Sequence, residues 1–131
     1  MPQTARPLSP HLSVYRWQVQ MVSSILHRAA GVALAAGMLV LLALLLALAA
    51  GPESYVKVQA LSGSIPGLVL WFGWTWSLAY HLLNGLRHLA EDTGWGYRIA
   101  QFVATGWIAL IGSLVLTGLI WACVLMQRGG A

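Results

Sequence analysis

The stretch Ala29 to Ala50, AAGVALAAGMLVLLALLLALAA, carries no charged residue and no proline. A helix crossing the bilayer needs about 20 consecutive apolar residues, so this run is a membrane span nearly from end to end. Two more uncharged runs follow, from Val58 to Leu86 and from Ile99 to Gln127, and each has residues to spare. The whole chain agrees: of 131 residues, 59% are hydrophobic and only 8% are charged, with a mean hydropathy of +0.75. That is too apolar for a soluble domain of this size.

The breakers place the ends. Gly51-Pro52-Glu53-Ser54 closes the first run, Ser62-Gly63-Ser64-Ile65-Pro66-Gly67 precedes the second, and Asp92-Thr93-Gly94-Trp95-Gly96 separates the second from the third. The expected fold is an all-α membrane protein with three transmembrane helices at about 24–50, 64–91 and 98–127. Residues 1–28 would form a cytoplasmic N-terminal segment with the start of helix one, and 29–131 the three-helix domain. Pro7, Ser9, Pro10, His11 and Gln18 interrupt any early apolar core, so the first helix is not expected to be a cleaved signal. Arg6, Arg16, Arg28, Arg87 and Arg98 fall on one side, and only Lys57 and Arg128 on the other. The N-terminus is therefore expected in the cytoplasm and the C-terminus outside. The net charge of +4 reflects this bias; its scattered basic residues make no nucleic-acid patch.

An imidazole inside an uncharged apolar run must find a partner or a metal. His81 is such a residue, and His88 follows it seven positions on. The two lie about 10 Å apart along one helix face, with Gly85 between them leaving room for a flat ring. A buried haem fits this pattern, His81 being the iron ligand. The plain alternative is a histidine satisfied by an interhelical hydrogen bond. Cys123 is the only cysteine, so a haem here would be held without thioether bonds, as b type. His11, His27 and His88 are expected near the cytoplasmic boundary and His81 about two turns deeper.

A second constellation opens helix one. Ser24, His27, Arg28 and Gly31 recur at i, i+3, i+4 and i+7, a polar stripe ending in glycine. It could bind a quinone carbonyl, haem propionates or a partner subunit; alternatively Arg28 only snorkels to the headgroups. On helix three, Ala109, Ser113 and Thr117, with Gly106, Gly112 and Gly118 nearby, read as a helix-packing ridge. Trp107 reads as packing.

At these positions the chain resembles a known family, the cytochrome b subunits (the larger of two membrane anchors) of succinate dehydrogenase, respiratory complex II. Arg6-Pro7-Leu8-Ser9-Pro10-His11-Leu12-Ser13-Val14-Tyr15 looks like the family's N-terminal segment. Ser24-x-x-His27-Arg28-x-x-Gly31 is similar to its helix-one motif, and His81-x-x-x-Gly85-x-Arg87-His88-Leu89-x-x-Asp92-x-Gly94 to its helix-two motif. The chain departs from the family at Ala30, where Ser or Thr is usual, and at Glu91, where an apolar or aromatic residue is usual.

The resemblance implies a three-helix anchor that packs with a second anchor subunit into a bundle holding one haem b between them. It implies an axial iron ligand at His81, quinone contacts at Ser24 and Arg28, and His27, Arg28 and His88 near the haem propionates or lining the pocket. The implied partners are the second anchor, an iron-sulfur subunit, a flavoprotein subunit, membrane lipid and a quinone, ubiquinone by expectation, in a bacterial inner membrane with the C-terminus periplasmic. This chain would serve succinate:quinone electron transfer in respiration and the tricarboxylic acid cycle, with no catalytic residue of its own. An anchor of a quinol:fumarate reductase, a haem-free structural anchor and the cytochrome b of a different oxidoreductase remain alternatives. Asp92 could pair with an arginine, relay protons or simply be hydrated.

Overall fold

The computed structural model describes residues 11–129, so the expectations resting on Arg6 to Pro10 lie outside the described residues. Four α-helices account for most of the chain: α1 (Val19–Ala49), α2 (Pro52–Gly63), α3 (Ile65–Asp92) and α4 (Ile99–Gly129). A single 3-10 turn, Leu12–Val14, precedes them. The fold is all-helical among the described residues.

Helix α2 occupies a stretch whose sequence reads as breakers and connection. Gly51 takes a φ of 115°, a value that favours glycine, and Pro52 then opens the new helix where a missing N–H costs nothing. Glu53 sits in the first turn, and its carboxylate accepts from Lys57 Nζ at 2.8 Å one turn on. The corner from α2 into α3 is tight. Ser64 is extended, and its hydroxyl accepts from Gly67 N at 3.3 Å as an N-cap. A Cβ on Gly67 would collide with the carbonyl oxygens of Leu61 and Ser62, so glycine alone lets the two helices meet there.

Helices α1, α3 and α4 run up, down and up, with α3 in contact with both neighbours and with α2 at the turn. The pairings give the directions. Tyr80, in the second half of α3, bonds Ser23 near the start of α1 at 3.1 Å, while Trp74, in the first half of α3, donates to Leu34 O, deeper in α1, at 3.4 Å. Trp74 fits because Gly37 has no side chain; a Cβ there would overlap its indole. Between α3 and α4, Trp76 Nε1 donates to Ser113 Oγ at 3.2 Å, and Gly106 lets Val19 of α1 come close. Ala109, Ser113 and Thr117 are all buried, the small-residue ridge expected of α4. Ser113 and Thr117 spend their hydroxyls on Leu110 O and Ser113 O. Trp107, read from sequence as packing, is instead half exposed, because it stands off this ridge.

The arrangement is apolar outside. Leu78, Leu82, Leu86 and Leu89 of α3 are exposed, while Ser77, Tyr80, Asn84, Arg87 and Glu91 are buried. Those five recur at steps of three, four, three and four residues and form one inward stripe. A leucine-coated exterior with a polar seam inside is stable where the surroundings are hydrocarbon. Two described helices are long and apolar enough to cross a membrane, Val19–Ala49 and Ile99–Arg128. Helix α3 is not among them, its polar seam lowering its hydropathy although it is 28 residues long.

Candidate functional site

The polar seam of α3 meets the start of α1 at a cluster of three histidines. His27 and His81 stack face to face, ring centroids 4.0 Å apart and planes 9° from parallel. His88 stands edge-on to His27 at 5.3 Å. The depth order expected from sequence is corrected here: His27 and His81 share one level. Helix α1 begins at Val19, not near residue 24, so His27 lies two turns inside it.

The hydrogen bonds fix which nitrogen of His81 carries the proton. Its Nδ1 lies 3.2 Å from the backbone oxygen of His27, and a carbonyl only accepts. Nδ1 is therefore the donor, and Nε2 is left with a free lone pair in the neutral ring. This carbonyl-to-imidazole arrangement is the kind that orients metal-binding histidines. The ring also packs against Gly31, where a Cβ would come within 3.2 Å of His81 Cε1. Gly31 thus seats the imidazole, whereas a Cβ on Gly85 would meet only His27 Cε1 in ordinary contact at 3.9 Å. His27 Nδ1 is buried and has no hydrogen-bond partner among the described residues. A free imidazole lone pair beside a buried ring nitrogen without a partner is a donor set suited to a metal-bearing group. No three His, Cys, Asp or Glu side chains among the described residues converge on a common metal position, so His81 would be a lone ligand from this chain.

A chain of bonds continues from the histidines, and its direction can be read. The single proton of Tyr80 Oη is shared between Ser23 Oγ at 3.0 Å and Ser23 O at 3.1 Å. Ser23 Oγ donates to Asn84 Oδ1 at 2.9 Å, and Asn84 Nδ2 donates to His88 Nε2 at 3.1 Å. With Nε2 accepting, His88 Nδ1 holds the proton and faces Glu91 Oε2 at 3.3 Å. Arg87 closes the network. Its Nη2 stands 2.9 Å from Glu91 Oε1, a close ion pair outside hydrogen-bond angles, so that oxygen has no hydrogen bond of its own. Arg87 Nε donates to Thr105 Oγ1 at 3.0 Å, and the guanidinium lies 4.3 Å over the Phe102 ring. Glu91, the unusual residue, is thus a buried counter-ion in a seam tying α1, α3 and α4.

Ser24 and Arg28 lie beside this cluster but face outward. Both are exposed, and Arg28 Nε donates to Ser24 O at 3.3 Å. The Ser24 hydroxyl has no hydrogen-bond partner among the described residues. The stripe read from sequence therefore splits: His27 and Gly31 pack on α3, while Ser24 and Arg28 present a donor pair outside. Asp92 is exposed. Sequence reasoning missed Ser23, Tyr80, Asn84 and Thr105, because neutral polar residues stand out less than histidines in an apolar run. The regular spacing of Ser77, Tyr80, Asn84, Arg87 and Glu91 was the available signal.

Residues 2–120 match the family model described as succinate dehydrogenase/fumarate reductase transmembrane subunit. The chain is 40% identical over 111 residues to the succinate dehydrogenase cytochrome b556 subunit of Paracoccus denitrificans, covering 85% of each protein. It is 38% identical to the same-named subunit of Rickettsia prowazekii (strain Madrid E), over 88% of this chain and 90% of that one. To the mitochondrial succinate dehydrogenase cytochrome b560 subunit of Sus scrofa it is 40% identical, over 81% of this chain and 64% of the relative.

Proposed function

The chain belongs to the family of succinate dehydrogenase and fumarate reductase transmembrane subunits, and from that premise we propose that it is the cytochrome b membrane anchor of a succinate dehydrogenase. In this reading α3 is a third span between α1 and α4, its polar seam shielded from lipid. The histidine end faces the cytoplasm of a bacterial cell, and the C-terminus lies across the inner membrane. The buried polar groups left over, chiefly His27 Nδ1, need partners in lipid, where an unsatisfied group costs several kcal/mol. A second anchor subunit and one haem b shared with it supply them.

In this chain His81 is the residue that would bind the haem iron. The observation that carries the reading is its Nδ1 bond to His27 O, which leaves Nε2 unprotonated and without a hydrogen-bond partner among the described residues. When bound, the haem supplies a one-electron redox centre beside the quinone pocket. His27 stacks on the ligand, and Arg28 brings a permanent charge suited to a propionate or a reduced quinone. His88 lines the pocket with both nitrogens already engaged by Asn84 and Glu91. Ser24 and Arg28 contact the quinone, ubiquinone in this proposal, where an iron-sulfur subunit docks and passes on electrons from the flavoprotein.

The test is the visible spectrum of the purified complex. A six-coordinate low-spin b-type spectrum is expected in the wild type, and its loss in an assembled His81→Ala complex. An unchanged spectrum in that variant would sink the assignment.

A further inference from the structure

At the end of the bundle opposite the histidines, a cavity of about 360 Å³ opens between α2, α3 and α4. That volume falls within the range of small-ligand sites, about 300–1,000 Å³. The polarity of its wall changes with depth. Gln59, Ser62 and Arg128 lie toward the outer ends of their helices, and Trp71, Ile120 and Trp121 lie nearer mid-bundle along α3 and α4. From Arg128 to Ile120 is eight residues of α4, about 12 Å along its axis. The one hydroxyl at the inner end, that of Thr75, donates to Trp71 O at 2.7 Å. The inner wall therefore offers a guest chiefly carbon and ring surface.

Charge at the rim is one-sided. Arg128 has no acidic partner among the described residues, and at this end Glu53 is bonded to Lys57. The Arg128 guanidinium lies over the α2–α3 corner, 3.7 Å from where a Cβ on Gly63 would stand. Arg128 is also the last residue of a helix stretch long and apolar enough to span a bilayer, the position at which a span meets headgroups.

We infer that this cavity binds an anionic phospholipid, its phosphate held by Arg128 at the rim and an acyl chain laid against Trp71, Ile120 and Trp121. Basic pockets between transmembrane helices hold anionic headgroups on the cytoplasmic side of membranes, and the same charge pairing is proposed here at the opposite end of the bundle. A quinone is the competing guest, because the Trp71 and Trp121 indole N–H groups in the wall could donate to its carbonyls; the Arg128 cation, with no acidic partner among the described residues, favours an anionic headgroup. The inference requires only that the chain lies in a membrane, so it stands apart from the haem and quinone assignments.

The test places the whole complex in phosphatidylcholine nanodiscs doped with phosphatidylglycerol carrying a photoactivatable acyl chain. After illumination, labelled residues are mapped by mass spectrometry. Labelling at Trp71 and between Ile120 and Val124 is expected. Arg128→Gln should lower it about fivefold, the equivalent of about 1 kcal/mol for one basic residue near the surface, and Arg128→Lys should restore it. Haem content and succinate:quinone activity should not change. Equal labelling in Arg128→Gln, labelling of the same residues by a photoactivatable quinone but not by the lipid, or a cross-link from position 124 to another polypeptide would each overturn the inference.

Discussion

His27 and His81 are stacked in parallel at 4.0 Å, and the backbone of the first holds the ring of the second. One residue thus orients the proposed ligand twice, by a carbonyl that no substitution removes and by a stacked ring that only another flat side chain replaces. His27→Ala should keep haem in the assembled complex, since the carbonyl bond to His81 Nδ1 survives, but with a shifted and broadened low-spin electron paramagnetic resonance signal. His27→Phe, which retains a flat ring, should lie nearer the wild type. If His27→Ala loses haem as fully as His81→Ala, the side chain does more than stack.

Asn84 is fully buried and bridges Ser23 to His88. Asn84→Leu takes the acceptor from the buried Ser23 hydroxyl, whereas half-exposed His88 keeps its Glu91 contact, and a buried polar group left without a bond costs about 1–3 kcal/mol. The expected result is a clearly lower thermal midpoint of the detergent-solubilised complex, followed by loss of haem absorbance. Ser77→Ala, whose hydroxyl only returns to Gly73 O in its own helix, should change the midpoint little.

Arg87 and Glu91 form a buried pair, with side chains 6% and 9% exposed. Removing one partner of such a pair costs about 3–5 kcal/mol, because the other charge is left stranded, whereas replacing both by apolar residues is often neutral. Arg87→Leu should therefore reduce assembled complex in the membrane strongly. Arg87→Leu with Glu91→Leu should recover most of it, as measured by blue-native gel or haem content per membrane protein. No recovery in the double variant would mean that Arg87 acts mainly through Thr105 and Phe102.

Helix α3 shows why some of this was legible and some was not. Charge-free runs announce helices in lipid because hydrocarbon tolerates little else, and His81 and His88 stand out against them. Glu91 reads in the sequence only as a departure from the family pattern, and it is buried, because the fold brings Arg87 and His88 round to it. The depth of His27 was misjudged for a related reason. The polar residues Gln18 and Gln20 and the serines at 23 and 24 look like the end of a helix, but Ser23 is paid for by Tyr80 and Asn84, so α1 runs on through them. Helix α2 was hidden by Gly51-Pro52, a pair that ends one helix and starts another.

Trp74 fits into a notch at Gly37 where any Cβ would overlap its indole. Gly37→Leu should push α1 from α3 at mid-bundle and cost about 1–3 kcal/mol, as overpacked cores do. Trp74→Ala made in the same chain should give back part of that loss by vacating the notch. Thermal midpoints of the two single variants and the double variant measure the coupling. Additive losses would show that the two residues do not share the space.

Ser24 and Arg28 face outward one turn apart, about 6 Å along the axis of α1, next to the proposed ligand but outside the histidine seam. Quinone reduction builds negative charge on the carbonyl oxygens. A hydroxyl donor and a fixed cation placed there favour the charged states over the bound quinone, which is the condition for accelerating the step. The cation carries the larger share, since hydrogen bonds to charged groups are worth about 1.5–3 kcal/mol against about 0.5–1.5 for neutral ones. Arg28→Leu should therefore slow quinone reduction by about tenfold or more, and Ser24→Ala by a few fold, with haem content kept. Succinate oxidation by an artificial acceptor at the soluble subunits should stay near the wild-type rate in both, separating the site from assembly. Wild-type quinone reduction in both assembled variants would leave Arg28 as a headgroup anchor, its Nε bond to Ser24 O merely one way of resting at the membrane boundary.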